Sequence, residues 1–174
     1  MQRRAAVLAL AAAAVAGPAL AEHHGAKQNI VGVAAGNADF STLVTAVTAA
    51  DLVGTLSGAG PFTVFAPTNA AFAKLPPGTV QTLVKPENKA TLSKILTCHV
   101  VAGKVTAKTL TDAIQKHGGS YTINTVGGCQ FKAAISGGKV VITDEKGGKS
   151  AVTATDVAAS NGVIHVIDSV LMPR

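Results

Sequence analysis

The chain has 174 residues and a mass of 17.3 kDa, room for one domain of the common size of about 100 to 150 residues, which excludes a large multidomain enzyme. Apolar residues make up 48% against 14% charged, which excludes a disordered chain. Fifteen Lys and Arg against nine Asp and Glu give a net charge of +6, but no Trp, one Tyr and five Phe leave few platforms for stacked bases, so nucleic acid is not an expected partner.

Arg3 and Arg4, an apolar run from Ala5 to Ala16 and the small-residue site Ala19-Leu20-Ala21 have the order of a secretory signal peptide, residues 1–21. The apolar run is shorter than the ~18 residues a spanning helix needs, so no transmembrane segment is expected. The product is expected to be secreted or periplasmic, with a flexible polar tail over residues 22–28 and one domain over residues 29–173. Cys98 and Cys129 are the only cysteines, and an even count in an oxidising compartment points to one disulfide.

Phe40, Leu43, Val44 and Val47 recur at three- and four-residue steps and predict an amphipathic helix with Asp39 as its N-cap. A second short helix is expected over Asp51 to Leu56, ended by Gly58-Ala59-Gly60-Pro61. Phe62 to Ala66 is β-prone and Pro67 closes it, after which Thr68-Asn69 can cap a turn of helix through Phe72. Pro76-Pro77-Gly78 marks a turn, and Pro86 to Thr97 predicts a helix with Leu92, Ile95 and Leu96 on one face and lysines opposite.

From Cys98 onward the period moves toward two. Val100-Val101, Tyr121 to Asn124, Gln130 to Ser136, Lys139 to Thr143, Ala151 to Thr155 and Val163 to Ile167 are expected strands, punctuated by Gly127-Gly128, Gly137-Gly138 and Gly147-Gly148. Ser136-Gly137-Gly138-Lys139 has the composition of a tight hairpin. Helices early and antiparallel strands late define an α+β domain, a small sandwich or wedge with helices packed on it.

Three segments carry a resemblance. Thr63-Val64-Phe65-Ala66-Pro67-Thr68-Asn69-Ala70-Ala71-Phe72 resembles the first signature motif of the fasciclin (FAS1) domain family, and Asn161-Gly162-Val163-Ile164-His165-Val166-Ile167-Asp168-Ser169-Val170-Leu171-Met172-Pro173 resembles the second. Between them Leu96-Thr97-Cys98-His99-Val100-Val101 resembles the central Tyr-His motif, with Cys98 where Tyr is usual. The resemblance covers about Asn29 to Pro173. It implies a β-rich wedge with helices, used outside the cell for adhesion and molecular interaction, and no enzymatic activity. The single copy resembles the small secreted bacterial members.

The patterns of catalytic chemistry fail on inspection. Gly147-Gly148-Lys149-Ser150 lacks the first Gly of a P-loop, since that place holds Thr143. Ser57 follows Thr55 and cannot form a nucleophile elbow. Cys98 and His99 are adjacent and in extended structure would face opposite ways. His99 and His165 lie in apolar segments, where buried rings bonded to backbone are expected.

Lys85, Lys89, Lys94, Lys104, Lys108 and Lys116 crowd residues 85–116 against Glu87 and Asp112. That segment is an expected docking face for an acidic polysaccharide, an acidic protein or lipid head groups. Cleavage after Ala21 would expose Glu22-His23-His24, whose terminal amine, two backbone amides and His24 imidazole can take Cu or Ni in a plane of four nitrogens. No other cofactor is expected. The leading expectation is a non-enzymatic adhesion module whose partner is an extracellular or envelope protein or an acidic polysaccharide; the alternative is a periplasmic sensor or carrier of a small ligand or metal ion.

Overall fold

The computed structural model describes residues 28–174. The signal peptide and Glu22, His23 and His24 lie outside the described residues. Two strands run through the middle of the domain. β1 (Phe62–Pro67) and β7 (Gly162–Ile167) pair in parallel, with Thr63 opposite Val163, Phe65 opposite His165 and Pro67 opposite Ile167. The expectation of purely antiparallel strands is corrected here, and the reason is burial on both faces. Both segments are near-continuous apolar runs, the pattern of a strand covered above and below, and both are buried along almost their full length.

The pair divides the core in two. Val64, Ala66 and Ile164 pack on one side with Phe40, Leu43, Val47, Leu92 and Leu96. Phe65 and Ile167 pack on the other with Leu110, Ile114, Ile123, Phe131 and Ile142. β2 (Val100–Ala102) adds to the outer side of β1 in antiparallel register.

Beyond β7 the sheet continues through β6 (Lys149–Ala159), β5 (Lys139–Thr143), β4 (Gln130–Ser136) and β3 (Ser120–Asn124), giving the order β2-β1-β7-β6-β5-β4-β3. β6 is the corner. Its first residues, Lys149 to Ala151, pair with β5, and Val152 to Ala159 pair with β7 across two register shifts. Bulges bend a strand and raise its twist, so one long strand serves two sheet halves and the whole is a wedge with helices packed on it, an α+β fold in one domain. The β4–β5 hairpin closes through Gly137 and Gly138 at φ +59° and +77°, with Ser136 opposite Lys139. Two successive positive φ angles are those of the turn whose twist matches a hairpin.

Helices cover the first half-core. α1 (Ile30–Ala35) is capped by Asn29, whose side chain accepts from the Gly32 N–H; α2 is Ser41–Ala49, α3 Val53–Leu56, α4 Asn69–Ala73, α5 Thr79–Leu83 and α6 Lys89–Cys98. Asp39 is not a cap. Asn37 takes that part, accepting from Asp39 N at the start of a 3-10 turn, Ala38–Phe40, that leads into α2. Asp51 lies outside α3, at φ +59° between the two helices. Thr68 caps α4 as expected, accepting from Ala71 N. α7 (Ala107–Lys116) stands where only period-two structure was expected; Thr106 caps it, and Leu110 and Ile114 bury its inner face under the β3–β5 sheet.

Candidate functional site

The three motif segments meet around two buried histidines. Leu171 donates its N–H to His99 Nε2 at 3.0 Å, so the proton of that ring sits on Nδ1, which donates to the Ile95 carbonyl at 2.8 Å. His165 carries the opposite tautomer. Its Nε2 donates to the Val105 carbonyl at 2.6 Å and its Nδ1 accepts from Asp156 N at 3.4 Å. The His165 ring stacks on Phe65 with centroids 5.6 Å apart, and Phe65 donates its N–H to the His99 carbonyl at 2.8 Å. Burial holds His99 well below the ordinary imidazole range, at about 4, against the opposing pull of its bond to Ile95 and of Asp144. A ring with both nitrogens engaged by backbone is not placed to move a proton to or from a substrate.

The other motif side chains are engaged in the same way. Thr63 Oγ1 donates to the Gly103 carbonyl and accepts from Val105 N, each at 2.7 Å. Asn69 accepts from Thr42 N at 3.0 Å and donates to the Ala38 carbonyl at 2.9 Å. Asn161 donates to the carbonyls of Leu56 and Gly58, at 2.6 and 2.9 Å, and accepts from Ile30 N at 3.0 Å. A Cβ on Gly162 would collide with the Phe62 carbonyl oxygen. Phe72 is buried in the first half-core and Pro67 is among the fully buried side chains. These bonds and contacts tie the motif residues into the wedge itself.

Cys98 and Cys129 are joined, with their Cα atoms 5.4 Å apart. Both are buried in the second half-core. The bond ties the end of α6 to the start of β4, beneath the turn that holds Gly127.

The six lysines of residues 85–116 are distributed rather than gathered. Lys85 lies 4.0 Å from Glu87 and Lys89 3.6 Å from Asp51. Lys108 bonds Asp112 at 2.9 Å, which raises the ammonium and lowers the carboxyl from their ordinary ranges. Lys94 reaches the Arg174 carbonyl at 3.4 Å, Lys104 borders a shallow depression with Gly60 and Asn161, and Lys116 ends α7. α6 packs in one half-core and α7 in the other, so the set is split between the two sides of the β1–β7 pair.

A second basic surface was not anticipated. Strand pairing aligns Thr122, Lys132, Thr143 and Lys149 in one row across β3, β4, β5 and β6, and Ser120, Ala134, Val141 and Ala151 in the next. Ser136 and Lys139 follow. All are on the face away from Phe131, Ala133 and Ile142, which are buried. An apolar cavity on the other side of the molecule, between α1, α2, α3, α6 and strands β1 and β2, has a volume of about 30 Å³. That is room for a water molecule and too little for a metabolite.

Among the described residues no group of three or more His, Cys, Asp or Glu gathers as metal ligands. No described helix is long and apolar enough to cross a membrane.

A single α+β wedge with helices packed on it and its signature residues bonded into its frame is the architecture of a FAS1 module. The backbone matches a FAS1 domain pair from the insect cell adhesion molecule fasciclin I with a TM-score of 0.75 at 23% identity, over 84% of this chain and 51% of that one. The fasciclin domain profile matches residues 38–173, and the chain belongs to the fasciclin domain family. It is 54% identical over 144 residues to protein sll1483 of Synechocystis sp., covering 83% of this chain and 73% of that protein. It is 36% identical to the cell surface glycolipoprotein MPB83 of Mycobacterium bovis, over 85% of this chain and 62% of that protein.

Proposed function

We propose that this fasciclin domain is a non-enzymatic binding module that works outside the cytoplasm, in the periplasm, in the matrix or at the cell surface, and holds an envelope or extracellular partner non-covalently. The observation that carries the reading is the internal engagement of the motif histidines and of Thr63 and Asn161. His99 and His165 each have both ring nitrogens bonded to backbone, and Thr63 and Asn161 are likewise occupied. What remains for recognition is the polar surface. The leader-like residues 1–21 and the kinship with a protein named for the cell surface support an exported location.

The reading is tested by capture. The chain, immobilised through its amino terminus, is exposed to solubilised envelope and to the polysaccharide fraction of its own host. Retention of a macromolecule that salt or competitor releases is the expected result. A saturable one-to-one thermal shift with a small metabolite, and no macromolecular retention, would replace the reading with that of a carrier.

A further inference from the structure

The outer face of the β3–β6 sheet carries three lysines and no carboxylate. Lys132, Lys139 and Lys149 are exposed, and among the described residues none lies within ion-pair distance of an acidic side chain. The flanking acids border this face, Asp168 beside Lys149 and Asp144 and Glu145 beside Lys132, but each is engaged by backbone amides. Asp144 accepts from the backbone of Lys146, Gly148 and Met172, and Glu145 from Gln130 and Arg174, bonds that hold the Glu145 carboxyl below its usual range. Asp168 accepts from Ala151 N at 2.9 Å and pairs with Lys74 at 3.8 Å.

Spacing decides what kind of anion fits. Lys132 and Lys149 share a row two strands apart, roughly 10 Å, and Lys139 lies four residues along β5 from that row, roughly 14 Å. Side chains stand normal to a sheet, so these charges do not converge on one phosphate. They match a chain with carboxylates or sulfates at intervals. Between them Ala134, Val141 and Ala151 make a low floor, and Thr122, Thr143 and Ser136 offer hydroxyls. A shallow depression of about 430 Å³ crosses this face toward Lys74, Asp168 and Ser169, where the Asp168 carboxylate is paired with Lys74.

We infer that this sheet face is a docking surface for an acidic polysaccharide, laid across the strands with its anionic groups on Lys132, Lys139 and Lys149 and its hydroxyls on the Thr and Ser rows. The inference rests on the binding-module reading and locates the surface that performs it. A flat face with small apolar residues suits sugar rings. It lacks the aromatic and long apolar side chains that insert into a lipid surface and the Trp, Tyr or Arg anchors of a protein interface.

The test measures binding of the chain to alginate and dextran sulfate, with neutral dextran and anionic phosphatidylglycerol vesicles alongside. The wild type is expected to bind both acidic polymers, more weakly as salt shortens the screening length, and neither control. The triple variant Lys132→Glu, Lys139→Glu, Lys149→Glu should bind at least about tenfold more weakly, the combined worth of three surface ion pairs. The corresponding triple Thr variant, suited to exposed strand positions, should lose binding while melting like the wild type.

Four results overturn the inference: binding to neutral dextran equal to that of the acidic polymers, stronger binding to vesicles, loss on Lys89→Glu, Lys94→Glu, Lys108→Glu instead, or no polymer binding at all. The loss on the helical variants would move the anionic surface to residues 85–116 and leave the binding-module reading in place. Absence of polymer binding with capture of an envelope protein would likewise spare it; absence of both would end it.

Discussion

His99 Nε2 lies 3.0 Å from the backbone nitrogen of Leu171 and accepts its hydrogen, so an imidazole at the exit of α6 holds the end of the second signature motif in place. Protonation would turn that acceptor into a donor facing a donor. The native ring resists it, with a pKa lowered to about 4 from 6.5, chiefly by burial.

The sign of the pH dependence follows. Between pH 6.5 and about 4 the unfolded chain takes up a proton on His99 that the folded chain refuses, so stability falls as pH falls through that window and is flat above it. The full loss is about 3 kcal/mol. Urea unfolding at stepped pH checks it. His99→Gln, which keeps a donor and an acceptor and does not titrate, should flatten the slope in the window; an unchanged slope would assign it to other groups.

Asn161 joins three separate segments through one amide, bonding the carbonyls of Leu56 and Gly58 and the amide of Ile30. Asn161→Ala leaves those half-buried backbone groups without partners, at a cost of about 1 to 3 kcal/mol for such unmade bonds. The expected result is a lower urea midpoint with hydrogen exchange faster first in α1. Asn161→Asp should cost at least as much, since a carboxylate cannot donate to two carbonyls.

Local patterns in this chain were legible and distant ones were not. Gln130–Ser136 and Lys139–Thr143 could be read to the residue because Gln130, Phe131, Lys132 and Ala133 alternate polar and apolar, Val140-Val141-Ile142-Thr143 is a β-branched run, and Gly137-Gly138 marks the turn. α7 was missed because only Leu110 and Ile114 are buried on it, too few to set a period against the strands that follow, though Thr106 was a usable cap signal. The parallel pairing of β1 with β7 joins segments almost a whole domain apart, and no local pattern encodes it. For the same reason the lysine cluster that stood out in the sequence, residues 85–116, is divided over two helices. Lys132, Lys139 and Lys149, unremarkable along the chain, are brought to one face only by cross-strand register.

The amino-terminal copper site is a prediction about residues 22–24. An exported chain that begins at Glu22 presents its amine, the amides of His23 and His24 and the His24 imidazole, the planar nitrogen set that Cu(II) and Ni(II) prefer. Titration of Cu(II) into protein with a sequenced amino terminus should raise one visible absorption band at one equivalent. The band should vanish on His24→Ala and on amino-terminal acetylation, each of which removes one of the four nitrogens. Its survival in either sample would dismiss the site.

The bond between Cys98 and Cys129 closes a loop with a sequence separation of 31, and chain-entropy arithmetic assigns such a cross-link about 3 to 4 kcal/mol. It also lies at the base of the second half-core, under the turn that carries Gly127, where an added Cβ would stand 2.7 Å from Thr97 Oγ1 and 2.9 Å from Cys98 Sγ. Two perturbations should therefore loosen the same joint from different sides. Cys98→Ala with Cys129→Ala should lower the melting temperature by roughly 10 °C, and reductant should do the same to the wild type. Gly127→Ala should also lower it, because α6 or the turn must shift to admit a methyl group, whereas Gly54→Ala, with open space around the added carbon, should not. Mass-tagging of protein recovered from its host is the decisive measurement: untagged cysteines until denaturation and reduction are expected, and two tagged thiols in the folded protein would show that the cross-link does not form.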